Sequence, residues 1–192
     1  ASNPYLDAET LRVHITTGLV IEQEIQLKNP VICGQVLTPK GGPFLPKEGA
    51  TVEVFLKPYG PGIGAVKDGV GAAVLSWKAA VSKNGAFKVG GDFKEGDYIL
   101  EALARGNDNP YADAIPIPVH LKTGEIVKQD ISLVLPTVTG TLLDPNGVRL
   151  TTFLPGEVYL YVQNINSNGD LIDYGRIPVN SNGSFNLGLP KG

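Results

Sequence analysis

Apolar and polar residues alternate along this chain with a period of two. Leu11, Val13 and Ile15 alternate with Arg12, His14 and Thr16, Val52, Val54 and Leu56 with Glu53, Phe55 and Lys57, and Ile131 and Leu133 with Asp130 and Ser132. Successive side chains of a strand point to opposite faces, so this pattern buries one face of a sheet and wets the other. No stretch of ten or more residues keeps a helical spacing. Turn pairs punctuate the runs: Thr17-Gly18, Lys40-Gly41, Asn84-Gly85, Thr123-Gly124, Asn146-Gly147 and Asn182-Gly183. Gly and Asn accept the positive φ that tight turns demand. Strands are expected near 10–17, 20–28, 31–38, 50–58, 72–82, 86–90, 97–104, 115–122, 125–135, 137–144, 157–164, 171–179 and 183–188. Many short strands joined by tight turns predict an all-β chain of β-sandwich type.

The strand pattern repeats. Asn3–Pro39 aligns without a gap on Asn109–Pro145, 106 residues later, with 16 of 37 positions identical. The same offset carries Val52, Val54 and Leu56 onto Val158, Leu160 and Val162. A second block, Val81–Gly90, aligns on Val179–Gly188 at an offset of 98. The first copy therefore holds eight more residues between the blocks, in or near the glycine-rich stretch Tyr59–Ala72, where an insertion behaves as a surface loop. Three parts are expected: residues 1–30, the closing strands of a preceding repeat; residues 31–136, a complete sandwich of about seven strands; and residues 137–192, the front of a following repeat. Leu11, Val13, Ile15, Ile25 and Leu27 in the first part, and Val158, Leu160 and Val162 in the last, would then lie on open sheets. Open edges recruit strands, so the tail of one copy is expected to complete the front of another, head to tail. The competing expectation is a monomer in which residues 1–30 pair with the complete repeat beside them.

Composition narrows the partners. The 192 residues include 24 Gly and 15 Pro, yet 42% are apolar, so the chain is turn-rich but can build a core. Only 18% are charged, the net charge is −3 and no cluster of Lys and Arg occurs, which disfavours nucleic acid. No run of 18 apolar residues occurs, so no membrane-spanning helix is expected. One Cys and two distant His do not make a zinc pattern, and one Cys makes no internal disulfide. The chain holds no Met, and Ala1 reads as a processed or cut end.

Within the repeat stand Gly34-x-Val36, Gly49-Ala50-x-Val52-x-Val54, Asn84-Gly85-x-Phe87 and Gly96-x-Tyr98-x-Leu100-x-Ala102, and the later copy shows Gly140-x-Leu142 and Asn182-Gly183-x-Phe185. This set resembles the carboxypeptidase-regulatory-like, or transthyretin-like, β-sandwich domain of bacterial secreted and surface proteins, whose relatives include the B-type repeats of adhesins. The resemblance implies tandem Ig-like/transthyretin-like sandwiches, a secreted or cell-surface location, and a non-catalytic role as spacer, stalk or fibre. The alternative is a module that binds a glycan or a host protein. Adhesin relatives often carry a Lys–Asn or Lys–Asp isopeptide bond, but the first strand of the complete repeat, Val31–Thr38, has no Lys. The motif positions speak for fold more than for function, because they are turns and core aromatics.

Candidate chemistry is sparse. No Ser/His/Asp or Cys/His set and no carboxylate pair stands at a catalytic spacing, so no catalytic or cofactor-binding residue is assigned. Asn3-Pro4-Tyr5-x-Asp7 returns as Asn109-Pro110-Tyr111-x-Asp113. With the neighbouring oxygens this makes Asn107, Asp108 and Asp113 the calcium candidates, although no Asp-x-Asp-x-Asp-Gly series is present. A turn opened by Asn-Pro and pinned by a Tyr explains the same residues. His14 and His120 are equivalent and expected on the wet face. The loop Tyr59–Gly71 has no phosphate-loop pattern, and Trp77 shares a face with Leu75, Ala79 and Val81, which places it in the core. Cys33 falls at the position of Thr139, where a small strand residue suffices. Phe55 and Tyr161 are equivalent, and with Tyr159 they put aromatics on a wet face. These three, with Leu11, Val13 and Ile15, are the interface candidates, toward other copies of the chain, neighbouring repeats or a glycan.

Overall fold

A computed structural model describes residues 22, 24, 29–59, 76–91, 93–151, 158–165 and 171–188. Those residues are all-β, with no helix among them. The first group of strands is β1 (Ile32–Leu37), β2 (Thr51–Pro58), β3 (Trp77–Ala80), β4 (Ala86–Val89), β5 (Gly96–Arg105), β6 (Ile117–Leu121), β7 (Val127–Lys128) and β8 (Ile131–Ser132). They form two four-stranded sheets. One has the order β3-β2-β5-β6, all antiparallel, and the other is built on β1, which takes β4 antiparallel on one edge and β7 then β8 parallel on the other.

One buried cluster lies between the two sheets. Ile32, Val36, Phe87 and Val89 come from the first, Val54, Leu56, Leu100 and Ala102 from the second, and Ile131 and Leu133 close it. The alternation read from the sequence decides which residues enter: Val52, Val54 and Leu56 are buried, while Glu53, Phe55 and Lys57 face the other way. Tyr98 is buried and donates its hydroxyl to the Lys94 carbonyl at 2.8 Å, so its polar end is satisfied. Trp77 sits at the margin of the core, half-buried, with Phe93 at 4.2 Å and Tyr98 at 6.1 Å between ring centroids.

The expected strand 125–135 is broken in two. Val127 and Lys128 pair with Ile32 and Cys33, and Ile131 and Ser132 pair with Val36 and Leu37. Between them Gln129 donates its N–H to the Cys33 carbonyl at 2.9 Å, and Asp130 accepts the Gln35 N–H at 2.8 Å. The irregularity is accommodated at Gly34, where a Cβ would collide with the Gln129 carbonyl. Period-two alternation gives no sign of such an interruption, because Ile131 and Leu133 still point inward beyond it.

The second group is β9 (Val138–Thr141), β10 (Tyr159–Ile165), β11 (Leu171–Pro178) and β12 (Ser184–Leu187). It forms two two-stranded antiparallel pairs, β9·β12 and β10·β11. The register of β9·β12 is that of β1·β4, and the register of β10·β11 from Tyr159 to Tyr161 is that of β2·β3, displaced by 106 residues on one strand and 98 on the other, before a shift between Tyr161 and Gln163. Ile32↔Val89 becomes Val138↔Leu187, Gly34↔Phe87 becomes Gly140↔Phe185, and Phe55↔Lys78 becomes Tyr161↔Arg176. The connecting turns agree too. The Gly85 N–H donates to the Ser82 carbonyl at 2.9 Å, and the Gly183 N–H donates to the Asn180 carbonyl at 2.8 Å. Both glycines have φ near +80°, a conformation that L side chains rarely adopt.

Residues 1–21, 23, 25–28, 60–75, 92, 152–157, 166–170 and 189–192 lie outside the described residues, and with them the expected strand 10–17, nearly all of the expected strand 20–28 and most of the glycine-rich stretch.

Candidate functional site

The outer face of the β3-β2-β5-β6 sheet carries the first candidate. Phe55 lies at the middle of β2, opposite Lys78 on β3 and Glu101 on β5. Lys57 pairs with Glu101 and Lys78 with Glu53, so two ion pairs flank the ring. Each lysine Nζ stands 5.9 Å from the Phe55 centroid. The result is an aromatic ring bordered by charges, half-buried and outside the core cluster. Cation–π contacts at such a partly wet site are worth about 0.5–1 kcal/mol each. On β10, Tyr159 and Tyr161 hold the places of Glu53 and Phe55 and are 44% and 62% exposed. Leu11, Val13 and Ile15 lie outside the described residues, as does His14. His120 is exposed at the edge strand β6, with Nδ1 2.7 Å from Asp97.

The second candidate is the loop after β5. Asn109 is its anchor and is 5% exposed. Its Nδ2 donates to the carbonyls of Thr51 at 2.8 Å and Arg105 at 3.2 Å, and its Oδ1 accepts the Tyr111 N–H at 3.2 Å. A buried amide with three partners fixes the loop, since leaving such groups unpaired costs free energy. Tyr111 packs on the core and meets the Phe44 ring edge-on at 6.1 Å. Asp113 accepts the Ala104 N–H at 2.7 Å and an Arg105 Nη1 donor at 3.1 Å. Burial raises the pKa of this carboxyl above its ordinary 3.8, outweighing the Arg105 cation and the hydrogen bonds that favour the charged form. Water still reaches 39% of its side chain, so the group remains in exchange with solvent.

Two of the three calcium candidates, Asp113 and Asn107, have side-chain partners in the protein, and Asp108 is held through its backbone. Asp113 is occupied by Arg105 and the Ala104 N–H, Asp108 donates its N–H to the Gly49 carbonyl at 2.7 Å, and the Asn107 side chain accepts from Ser181 and Asn182. A guanidinium against the carboxylate opposes a cation there. No group of three or more His, Cys, Asp or Glu gathers among the described residues. A cavity of about 20 Å³ beside Asn109 and Asp113 has room for one water and no organic ligand. Cys33 is half-buried on β1, between Lys88 of β4 and Lys128 of β7 in register.

Sequence reasoning missed Arg105, Asn186 and Gly188, which complete this loop. Arg105 stands just before the recurring Asn-Pro-Tyr-x-Asp stretch, while Asn186 and Gly188 belong to the separate block Val179–Gly188, and no spacing relates the two. Set against protein-family models, curated proteins and solved structures, the chain gives no significant match. No helix among the described residues is long and apolar enough to cross a membrane.

Proposed function

We propose that the chain is a stretch of a tandem β-sandwich array of the Ig-like/transthyretin-like kind, serving as a non-catalytic stalk, surface-layer or fibre element outside the cell. The observation that carries this reading is the shared register of the two strand groups, displaced by the same 106 and 98 residues as the sequence repeat. Two stretches that pair their backbones alike, and differ mainly in loop length, are copies of one building unit. A repeated unit whose polar groups are spent on turns and strand contacts suits mechanical spacing.

Assembly belongs to the same reading. Among the described residues β9 pairs only with β12, and β10 only with β11. Their other edges correspond to those that receive β7, β8 and β5 in the first group. Residues 1–30 match the sequence of 107–136, the stretch that brings β6, β7 and β8. In this proposal those strands of one copy cover the open edge of β9 in another, head to tail, while the counterpart of β5 is in neither part. Sedimentation of the intact chain should show concentration-dependent association that vanishes when residues 1–30 are removed. The alternative, a glycan- or protein-binding adhesion module, draws support from the exposed Tyr159 and Tyr161. A glycan array decides between them: retention of a glycan by a monomeric chain overturns the structural reading.

A further inference from the structure

The loop Asn107–Asp113 reaches beyond its own sheets. Ser181 Oγ and the Asn182 N–H both donate to Asn107 Oδ1 at 3.3 Å, and Asn186 Nδ2 donates to the Asn109 carbonyl at 2.8 Å. The donors lie on the turn before β12 and on β12 itself, so the two strand groups touch here without sharing a strand. Gly188 adds an apolar contact: a Cβ on it would collide with Val134 and approach Ala112 to 3.1 Å. Ala112 and Val134 are themselves bridged backbone to backbone, so that surface has little freedom to yield.

We propose that Asn107–Asp113 is a clasp that sets the orientation of the unit that follows it. Its partner surface is the Asn-Gly turn and the strand after it, here Asn180–Leu187. The inference rests on the reading of the second group as the front of a following unit. Neighbouring modules move relative to one another by default unless something holds them. Here the holding groups are preorganised. The Asn109 carbonyl that receives Asn186 is aimed by a buried side chain with three hydrogen bonds of its own. The cavity at the contact admits nothing larger than a water, so its polar lining serves the joint and not a ligand. The frame of the device recurs in the sequence, while three of its contact-making side chains do not: Ala1, Lys83 and Lys88 stand at the places of Asn107, Ser181 and Asn186. Asn3, Tyr5 and Asp7 repeat Asn109, Tyr111 and Asp113, and Asn84-Gly85 repeats Asn182-Gly183. At this boundary the clasp gives the two units one fixed angle, which is what a stiff rod requires.

Residual dipolar couplings measured on the whole chain test this. In the unaltered protein one alignment tensor should fit residues 31–136 and 137–188 together. Asn107→Ala combined with Asn186→Ala, and independently Gly188→Ala, should abolish the common tensor, with weaker alignment of the second group. Asn107→Ala alone removes an exposed side chain outside the core and should give a smaller loss of the same kind, which decides the matter if the double variant unfolds residues 137–188. Two independent tensors in the unaltered protein, or a common tensor that survives these substitutions, overturns the clasp. Cross-strand contacts between Thr141 and Ser184 in the same spectra report on the repeat reading separately. Their absence would sink that reading whatever the tensors show.

Discussion

The two strand groups use corresponding residues to different ends. In the first, Val36, Val54, Leu56, Phe87 and Val89 are at most 2% exposed. Their counterparts in the second, Leu142, Leu160, Val162, Phe185 and Leu187, are only half-buried. Backbone pairing is the same in both up to a register shift after Tyr161, so pairing alone does not bury a core. What the first group has in addition is β5 to β8. The ten residues of β5 run along the whole of β2, and β7 and β8 flank β1. The glycines at the centre of each first strand show the consequence. At Gly34 the space a side chain would fill is taken by the Gln129 carbonyl, whereas at Gly140 the ring of Phe185 lies there. With no strand on that edge among the described residues, the aromatic side chain covers the backbone of its own pair.

The sharpest way to break this contrast is to truncate the two aromatic rings. Phe87→Ala should destabilise the first group by about 3–5 kcal/mol, the usual cost of emptying a packed core. Phe185→Ala should cost less than half of that, because the ring keeps solvent contact. Trp77 is the one tryptophan and lies in the first group, so its fluorescence in a denaturant titration follows that group specifically. Equal losses, each read in its own group, would mean that the second group has a closed core after all.

A smaller effect is expected on the outer face. Phe55→Ala removes a ring that sits between two lysines and touches no core residue, so it should cost roughly 1 kcal/mol. If Trp77 fluorescence instead reports a loss near that of Phe87→Ala, the face assignment fails. A deficit in self-association at unchanged stability would mark Phe55 as an interface residue.

The smallest effect is electrostatic and sharpens the account of the loop. The Asp113 pKa is raised in the fold, so between 3.8 and that raised value the folded state binds more protons than the unfolded one. This carboxyl therefore favours folding increasingly as pH falls through that window, and the contribution is lost as pH rises again. Asp113→Asn should remove that compensation, leaving a variant whose denaturation midpoint falls more steeply on acidification. A parallel pH profile for the two proteins would show that burial does not govern this group.

Much of the fold was legible because strand faces and tight turns are local properties. The expected strands at 31–38, 50–58, 86–90 and 97–104 coincide within a residue with β1, β2, β4 and β5. The Asn84-Gly85 and Asn182-Gly183 pairs stand at the predicted turns. Less was legible at 125–135, where the break depends on a parallel partner nearly a hundred residues away. Trp77 was expected in the core and lies at its margin, because Phe93 and Tyr98 cover one side of it. The loop 107–113 stood out as oxygen-rich and as the return of Asn3-Pro4-Tyr5-x-Asp7. That its oxygens face Arg105 and a second group of strands depends on chain segments that no local spacing brings together.

The all-β class, the faces of the strands, the positions of the turns and the matching of Asn3–Pro39 with Asn109–Pro145 are legible in the residues alone, since each follows from side-chain alternation, glycine φ freedom or direct identity. Tertiary structure decided which of two equivalent residues is buried, where β1 takes its parallel partners, and how Asn107 and Asn109 meet the next group. Those outcomes depend on strands brought in from far along the chain. A valine has the same hydrophobicity in either copy, but it is removed from water only where a second sheet covers it.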